Sequence, residues 1–165
     1  MLWSKSLAVI AVAMLLAGCG FRPLYGTIGE DLPVTTQLAQ IRIAAIPDRI
    51  GQKLRNFLLD RINPEGQPQR PLYYLQVKIN VTRTDLGIER DETATRALLI
   101  LTANYQLFNR AKKIVLVEGS TQSTNSFNIV ASDFATLSAE TDATDRASRA
   151  VSDDIKTRLA LYFQR

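Results

Sequence analysis

Residues 72–83, LYYLQVKINVTR, decide the architecture. Tyr73, Leu75, Val77, Ile79 and Val81 fall on one side, and Gln76, Lys78, Asn80 and Thr82 on the other. A period of two with one dry and one wet side predicts a strand in an antiparallel sheet covered on a single face. Downstream, the charged connector DLGIERDETA leads to a second long strand near Thr95–Asn109, where Leu99, Leu101, Ala103, Tyr105 and Leu107 alternate with Thr102, Asn104 and Gln106. Asn109–Lys113 then predicts a hairpin tip, and IVLVEGSTQSTNSFN (114–128) the return strand. The second half of that strand is almost bare of apolar side chains, so it is expected to pack poorly and to turn a polar face to solvent or a partner.

Upstream, LAQIRIAAI (Leu38–Ile46) suits a first strand, which Pro47 ends. Asp48 sits at a predicted N-cap, before RIGQKLRNFLLDRI. Ile50, Leu54, Phe57, Leu58 and Ile62 follow an i, i+4, i+7, i+8 pattern, one helical face. Asn63-Pro64-Glu65-Gly66 stops that helix. From the N-cap Ser132 to Phe163 no Gly or Pro interrupts a second helix, whose stripe reads Phe134, Leu137, Ala143, Ala147, Ala150, Val151, Ile155, Leu159 and Tyr162. Its alanine-rich first half suits close approach to a sheet. The order β-α-β-β-β-α predicts an α+β two-layer sandwich: a four-stranded, mainly antiparallel sheet packed with two helices.

The amino-terminal region obeys different rules. After Lys5, LAVIAVAMLLA (Leu7–Ala17) is an apolar run of signal-peptide length, too short to span a bilayer, which takes about 20 residues. Leu16-Ala17-Gly18-Cys19 matches a bacterial lipobox. In that chemistry the cysteine thiol accepts a diacylglyceryl group, a peptidase cuts just before it, and the new amino terminus is acylated. The expected organisation is therefore a signal peptide over 1–18, an acylated Gly- and Pro-rich tether over 19–36, and a single domain over 37–165. Gly20 behind the cysteine, in place of aspartate, favours sorting to the outer membrane.

Composition narrows the chemistry. Removing residues 1–18 from the 165 leaves 147, enough for one core. There is no His, and Cys19 is the sole Cys, so imidazole or thiolate metal sites and Ser-His or Cys-His nucleophiles have no parts; no cofactor is expected. The net charge of +4, or +3 once Lys5 leaves with the signal, is too small and too evenly spread to argue for nucleic acid. Asp142/Asp145 and Asp153-Asp154 resemble paired carboxylates, but they fall on a charged helix face, whereas acid catalysis needs convergent groups in a pocket.

A lipobox followed at once by Gly20-Phe21-Arg22-Pro23-Leu24-Tyr25-Gly26, then a one-sided sheet and a carboxy-terminal helix ending in Leu159–Phe163, resembles the lipopolysaccharide (LPS)-assembly lipoprotein family LptE. The resemblance implies two helices against a four-stranded sheet and no enzymatic activity. It further implies a place inside the LPS-translocon β-barrel of the outer membrane, as plug and assembly aid, with LPS bound through basic residues of a sheet-end loop. Arg110, Lys112 and Lys113 are the residues of this chain that match such a loop, although a solvated hairpin turn accounts for the same charges. Phe21, Leu24 and Tyr25 are candidates for contact with a partner or for closing the domain's own core. Ser120–Asn128 suits either a polar barrel lumen or an edge wetted by solvent. Arg83, Arg90 and Arg96 are expected to pair with Asp85, Glu89, Asp91 and Glu92 on the surface. An alternative reading is a lipoprotein accessory subunit of an inner-membrane lipid or solute transporter. A hydrolase lacks its motifs.

Overall fold

The computed structural model describes residues 33–88, 94–111 and 113–164. In chain order the elements are α1 (Val34–Ala39), β1 (Ile41–Ile43), α2 (Arg49–Ile62), β2 (Tyr73–Ile88), β3 (Ala94–Asn109), β4 (Ile114–Asn128) and α3 (Asp133–Phe163). The strands form one sheet in the order β1-β2-β3-β4. β1 runs parallel to the start of β2, pairing Ile41–Ile43 with Tyr73–Leu75. β2 and β3 pair antiparallel from Tyr73↔Asn109 to Ile88↔Ala94. β3 and β4 pair antiparallel from Arg96↔Asn128 to Asn109↔Ile114, with a register shift at Leu107/Phe108 that leaves Leu116 as the extra residue. The expected α+β sandwich is present, with the helices on one side of the sheet.

Two local expectations are corrected. The stretch expected to extend as strand from Leu38 to Ile46 holds β1 only at Ile41–Ile43, and the tether expected over 19–36 already contains the start of α1. Val34 and Leu38, four apart, point into the core, so one helical turn buries two apolar groups that a short extended segment would not. Asp48 does occupy the N-cap of α2, but at φ 68° its carboxylate makes no capping hydrogen bond. Ser132 behaves as expected: its hydroxyl oxygen accepts from the Ala135 N–H at 3.4 Å.

The core lies between the inner sheet face and α2 and α3. Leu54 and Leu58 from α2, Leu75, Leu101 and Leu107 from the sheet, and Ile155 and Leu159 from α3 are fully buried. Each contributes about 1.5–3 kcal/mol relative to exposure. The stripe on α3 is corrected at its amino-terminal end: Phe134 and Leu137 are 82% and 62% exposed, so no layer among the described residues covers the first turns. In their place Thr144, Ser148 and Ser152 are buried. Their hydroxyls donate back to Glu140 O, Thr144 O and Arg149 O at 2.9, 2.8 and 2.8 Å, so none of the three is stranded. With Ala143 and Ala147 they give α3 a small-residue ridge. The polar second half of β4 therefore packs after all on its inner side, where Thr121 and Phe127 are buried.

Opposite Tyr105 in the register stands Gly119. A Cβ on that glycine would lie 2.6 Å from the Tyr105 Oη and 2.8 Å from its Cζ, so the ring occupies the space a side chain would take. Burial pushes the Tyr105 hydroxyl up from the ordinary phenol range, against a hydrogen bond from Arg158. Gly119→Val is expected to cost about 1–3 kcal/mol by overpacking, read as a lower urea midpoint with an unchanged m-value.

Candidate functional site

The β3–β4 tip is held from both sides. The Lys113 N–H donates to Asn109 O at 2.9 Å with Lys113 at φ 52°, closing the turn. The Arg110 N–H donates to Leu72 O at 3.0 Å, and the Leu72 N–H to Gln40 O at 3.1 Å, tying the tip to the start of β2 and the end of α1. Arg110 and Lys113 are exposed there, while Lys112 lies outside the described residues.

The apolar surroundings of this tip are what the sequence reading missed. Leu72, Ile114, Val115 and Leu161 are 44–55% exposed. Leu161 belongs to the last turn of α3, which the Tyr73–Phe163 ring contact, 5.1 Å between centroids, brings to this end. On the outer sheet face the register sets Tyr74, Phe108 and Val115 side by side. Exposed Arg70 stands just before Leu72 in the chain. At the same end a cleft of about 750 Å³ opens between α1 and the carboxy-terminal end of α2, lined by Leu38, Ala39, Ile62 and Lys156 among others. A solvated turn needs only the charges. Cations beside exposed aliphatic groups fit an amphiphile with an anionic head, since guanidinium and ammonium groups bind phosphate and apolar area binds acyl chain. The available signal was IVLV after Lys113, which does not alternate as a half-buried strand should.

The other candidates resolve into structural duties. Arg83 donates to Asp85 at 2.9 Å and to Glu140 of α3 at 2.9 Å, with its guanidinium 5.3 Å from the Phe127 ring centroid. Its expected pairing with Asp85 is present, and the Asp85 hydrogen bond is the largest influence raising its proton affinity. Arg90, Glu89, Asp91 and Glu92 lie outside the described residues, and Arg96 is exposed. Asp142, Asp145, Asp153 and Asp154 of α3 do not converge. Asp142 pairs with Arg146, Asp145 with Lys53 at 2.5 Å, Asp153 with Arg61, and Asp154 with Arg158 at 2.7 Å. The pairs of Lys53 and Arg61 staple α2 to α3, and the Asp153 hydrogen bond raises Arg61.

In β4, Ser120–Asn128 divides by face. Thr121, Ser123, Asn125 and Phe127 turn toward α3, and Ser120, Gln122, Thr124, Ser126 and Asn128 are exposed. Across that outer face Ser120 and Gln122 continue the rows Lys78–Asn104 and Asn80–Thr102, and Glu118 the row Gln76–Gln106. Cys19, Phe21, Leu24 and Tyr25 lie outside the described residues. Among the described residues no group of three or more potential ligands could hold a metal ion, and no helix is long and apolar enough to cross a membrane.

The LptE family, lipopolysaccharide-assembly, matches residues 37–159. This chain belongs to the LptE family. Its fold is shared with solved structures at low identity. A structure described as a lipoprotein of Caulobacter crescentus superposes with a TM-score of 0.67 at 21% identity, over 79% of this chain and 96% of that one. A minor lipoprotein of Acinetobacter baumannii gives 0.60 at 16%, over 74% and 92%. Rare lipoprotein B of Shewanella oneidensis gives 0.54 at 10%, over 73% and 93%. No curated protein sequence matches this chain. Membership makes LPS assembly the family role of this LptE.

Proposed function

We propose that this LptE protein is a non-enzymatic, outer-membrane lipoprotein that plugs the LPS-translocon β-barrel, assists its assembly and binds LPS on its way to the outer leaflet. The observation that carries the LPS part is the juxtaposition of Arg110 and Lys113 with Leu72, Ile114, Val115 and Leu161. The lipid A phosphates would meet the cations and its acyl chains the aliphatic rim, while the outer sheet face, rich in Gln, Asn, Ser and Thr, suits a polar lumen. Phe21, Leu24 and Tyr25, between the acylated Cys19 and the domain, would contact the barrel wall. Binding alone performs this role; no metal, cofactor or nucleic acid enters it.

Replacing Arg110, Lys112 and Lys113 together with Ala is expected to weaken LPS binding at least tenfold, on the basis of about 1.5–3 kcal/mol for a hydrogen bond to a charged group. Co-purification with the barrel should be unaffected, because the changes leave the sheet face intact. Unchanged LPS affinity in the triple variant, measured with purified protein, would remove the tip from the assignment.

A further inference from the structure

We infer that the free edge of β4, over residues 120–124, takes up an extended segment of the barrel polypeptide as an added strand of the sheet. This deepens the barrel part of the proposed function and rests on it. β4 ends the strand order β1-β2-β3-β4, so among the described residues no strand pairs with its outer side. Which of its backbone groups face outward follows from the ladder. The Ile129 N–H donates to Thr95 O at 3.0 Å, and the sense of bonding repeats every second residue along an antiparallel pair. Odd-numbered residues between 119 and 127 therefore bond β3, while Ser120, Gln122, Thr124 and Ser126 direct their N–H and C=O groups away from it. Arg146 agrees with that sense, since its Nη2 donates to Ser126 O at 3.3 Å.

Two features say what this edge accepts. The first is a groove of about 460 Å³ beside it, between Ser120, Gln122 and Ser123 of β4 and Ala150, Asp154 and Arg158 of α3. Ala150 leaves room there for alternate side chains of an added strand, and the Asp154–Arg158 pair stands at the rim. The second is how the edge is built. Strand edges that stay single are blunted by charges, prolines or bulges. Residues 119–128 hold no charged residue and no proline, and the register shift of β4 lies nearer the tip, at Leu116. The opposite edge, β2 beyond Leu75, carries exposed Lys78, Arg83 and Asp85. The wall of a closed barrel has its strands paired already, so the added segment comes from a loop folded into the lumen. A second copy of this chain could offer a strand too, but a domain enclosed by the barrel is out of its reach.

Amide hydrogen exchange reads the pairing directly, because a bonded N–H is protected and an open one is not. The protein is compared alone and in complex with its barrel, at residue resolution by mass spectrometry. Exchange at Ser120, Gln122 and Thr124 is expected to slow about tenfold in the complex, the equivalent of one net hydrogen bond. The Ala44 N–H donates to Leu75 O, so the same parity turns the N–H groups of Ile79 and Val81 to the free side of β2, and these should exchange equally fast in both states. Gln122→Pro removes one outward N–H and spares the β3 ladder, whereas Gln122→Ala keeps that N–H. Less barrel should be recovered with Gln122→Pro than with Gln122→Ala; should the proline variant unfold, the exchange measurement decides alone. Unchanged exchange at the three β4 positions would overturn the strand addition. So would equal slowing at both edges, which reports exclusion of solvent. A photocrosslinking residue in place of Ala150 should capture a peptide from a barrel loop, and capture of a second copy instead would overturn the occupant. Failure of the wild-type protein to co-purify with any barrel would overturn the plug reading itself, and this inference with it.

Discussion

Leu101→Ala is expected to lower the stability of the domain by about 2–5 kcal/mol. Leu101 is fully buried in β3, which β2 and β4 flank on both sides. Its cross-strand neighbours are Val81 and Ser123, and the small-residue ridge of α3 runs over the same inner face. None of these has a long side chain free to fill the space a leucine leaves, so the cavity should persist and the cost should sit in the upper half of that range. Against a total of about 5–15 kcal/mol for a domain of ordinary stability, this is a large fraction. Urea denaturation followed by circular dichroism reads it. Leu137→Ala, at a 62% exposed position, is the control and should stay within about 0.5 kcal/mol. Equal losses at the two positions would mean that α3 is held differently, with its first turns buried.

These two leucines also show how much of the fold was legible. The alternation of β2 and β3 is visible in residues 72–83 and 95–109 because one sheet face is dry and the other wet, so every second residue reports its side. The same logic failed for the first turns of α3: Phe134 and Leu137 keep the helical period of the core stripe, yet periodicity records which residues share a face and not whether anything lies opposite. Thr144, Ser148 and Ser152 were missed for the converse reason. A hydroxyl that bonds its own helix backbone is compatible with burial, but hydropathy counts it as polar. α1 was missed because a single turn carries too few residues for a period to show.

The candidate site was half legible. Arg110 and Lys113 were found as a charge cluster, since sequence neighbours across a tight turn must be spatial neighbours. The aliphatic members come from three separate places, Leu72 before β2, Ile114 and Val115 after the turn, and Leu161 in the last turn of α3. Only the pairing of β2 with β3 and the Tyr73–Phe163 contact gather them. Ion pairing shows the opposite economy. Asp145 and Asp153 find Lys53 and Arg61, each 92 positions away, so carboxylates that resemble a pair in sequence are separated into different helix–helix contacts. Exposed pairs of this kind stabilise by less than about 1 kcal/mol each. Their effect is to offset charge across the α2–α3 contact.

Cys19→Ala should have the largest cellular effect. Without the thiol there is no acceptor for the diacylglyceryl group, and the peptidase that cuts before a lipidated cysteine has no substrate. The expected product is a precursor that retains residues 1–18 and takes up no labelled palmitate. Each buried CH₂ of an acyl chain contributes about 0.8 kcal/mol of membrane affinity, and two or more chains make attachment stable where one is marginal. The apolar run Leu7–Ala17 in the uncleaved precursor gives a weaker and differently placed hold on the inner membrane. The variant should therefore leave the outer-membrane fraction, while the domain itself, which has no disulfide to lose, should unfold at the same urea midpoint as the wild type. That combination separates a lost anchor from a lost fold. Normal palmitate labelling of Cys19→Ala would contradict the lipobox reading, and an unlabelled precursor that still reached the outer membrane would shift the weight of attachment from the lipid to the barrel proposed as its partner.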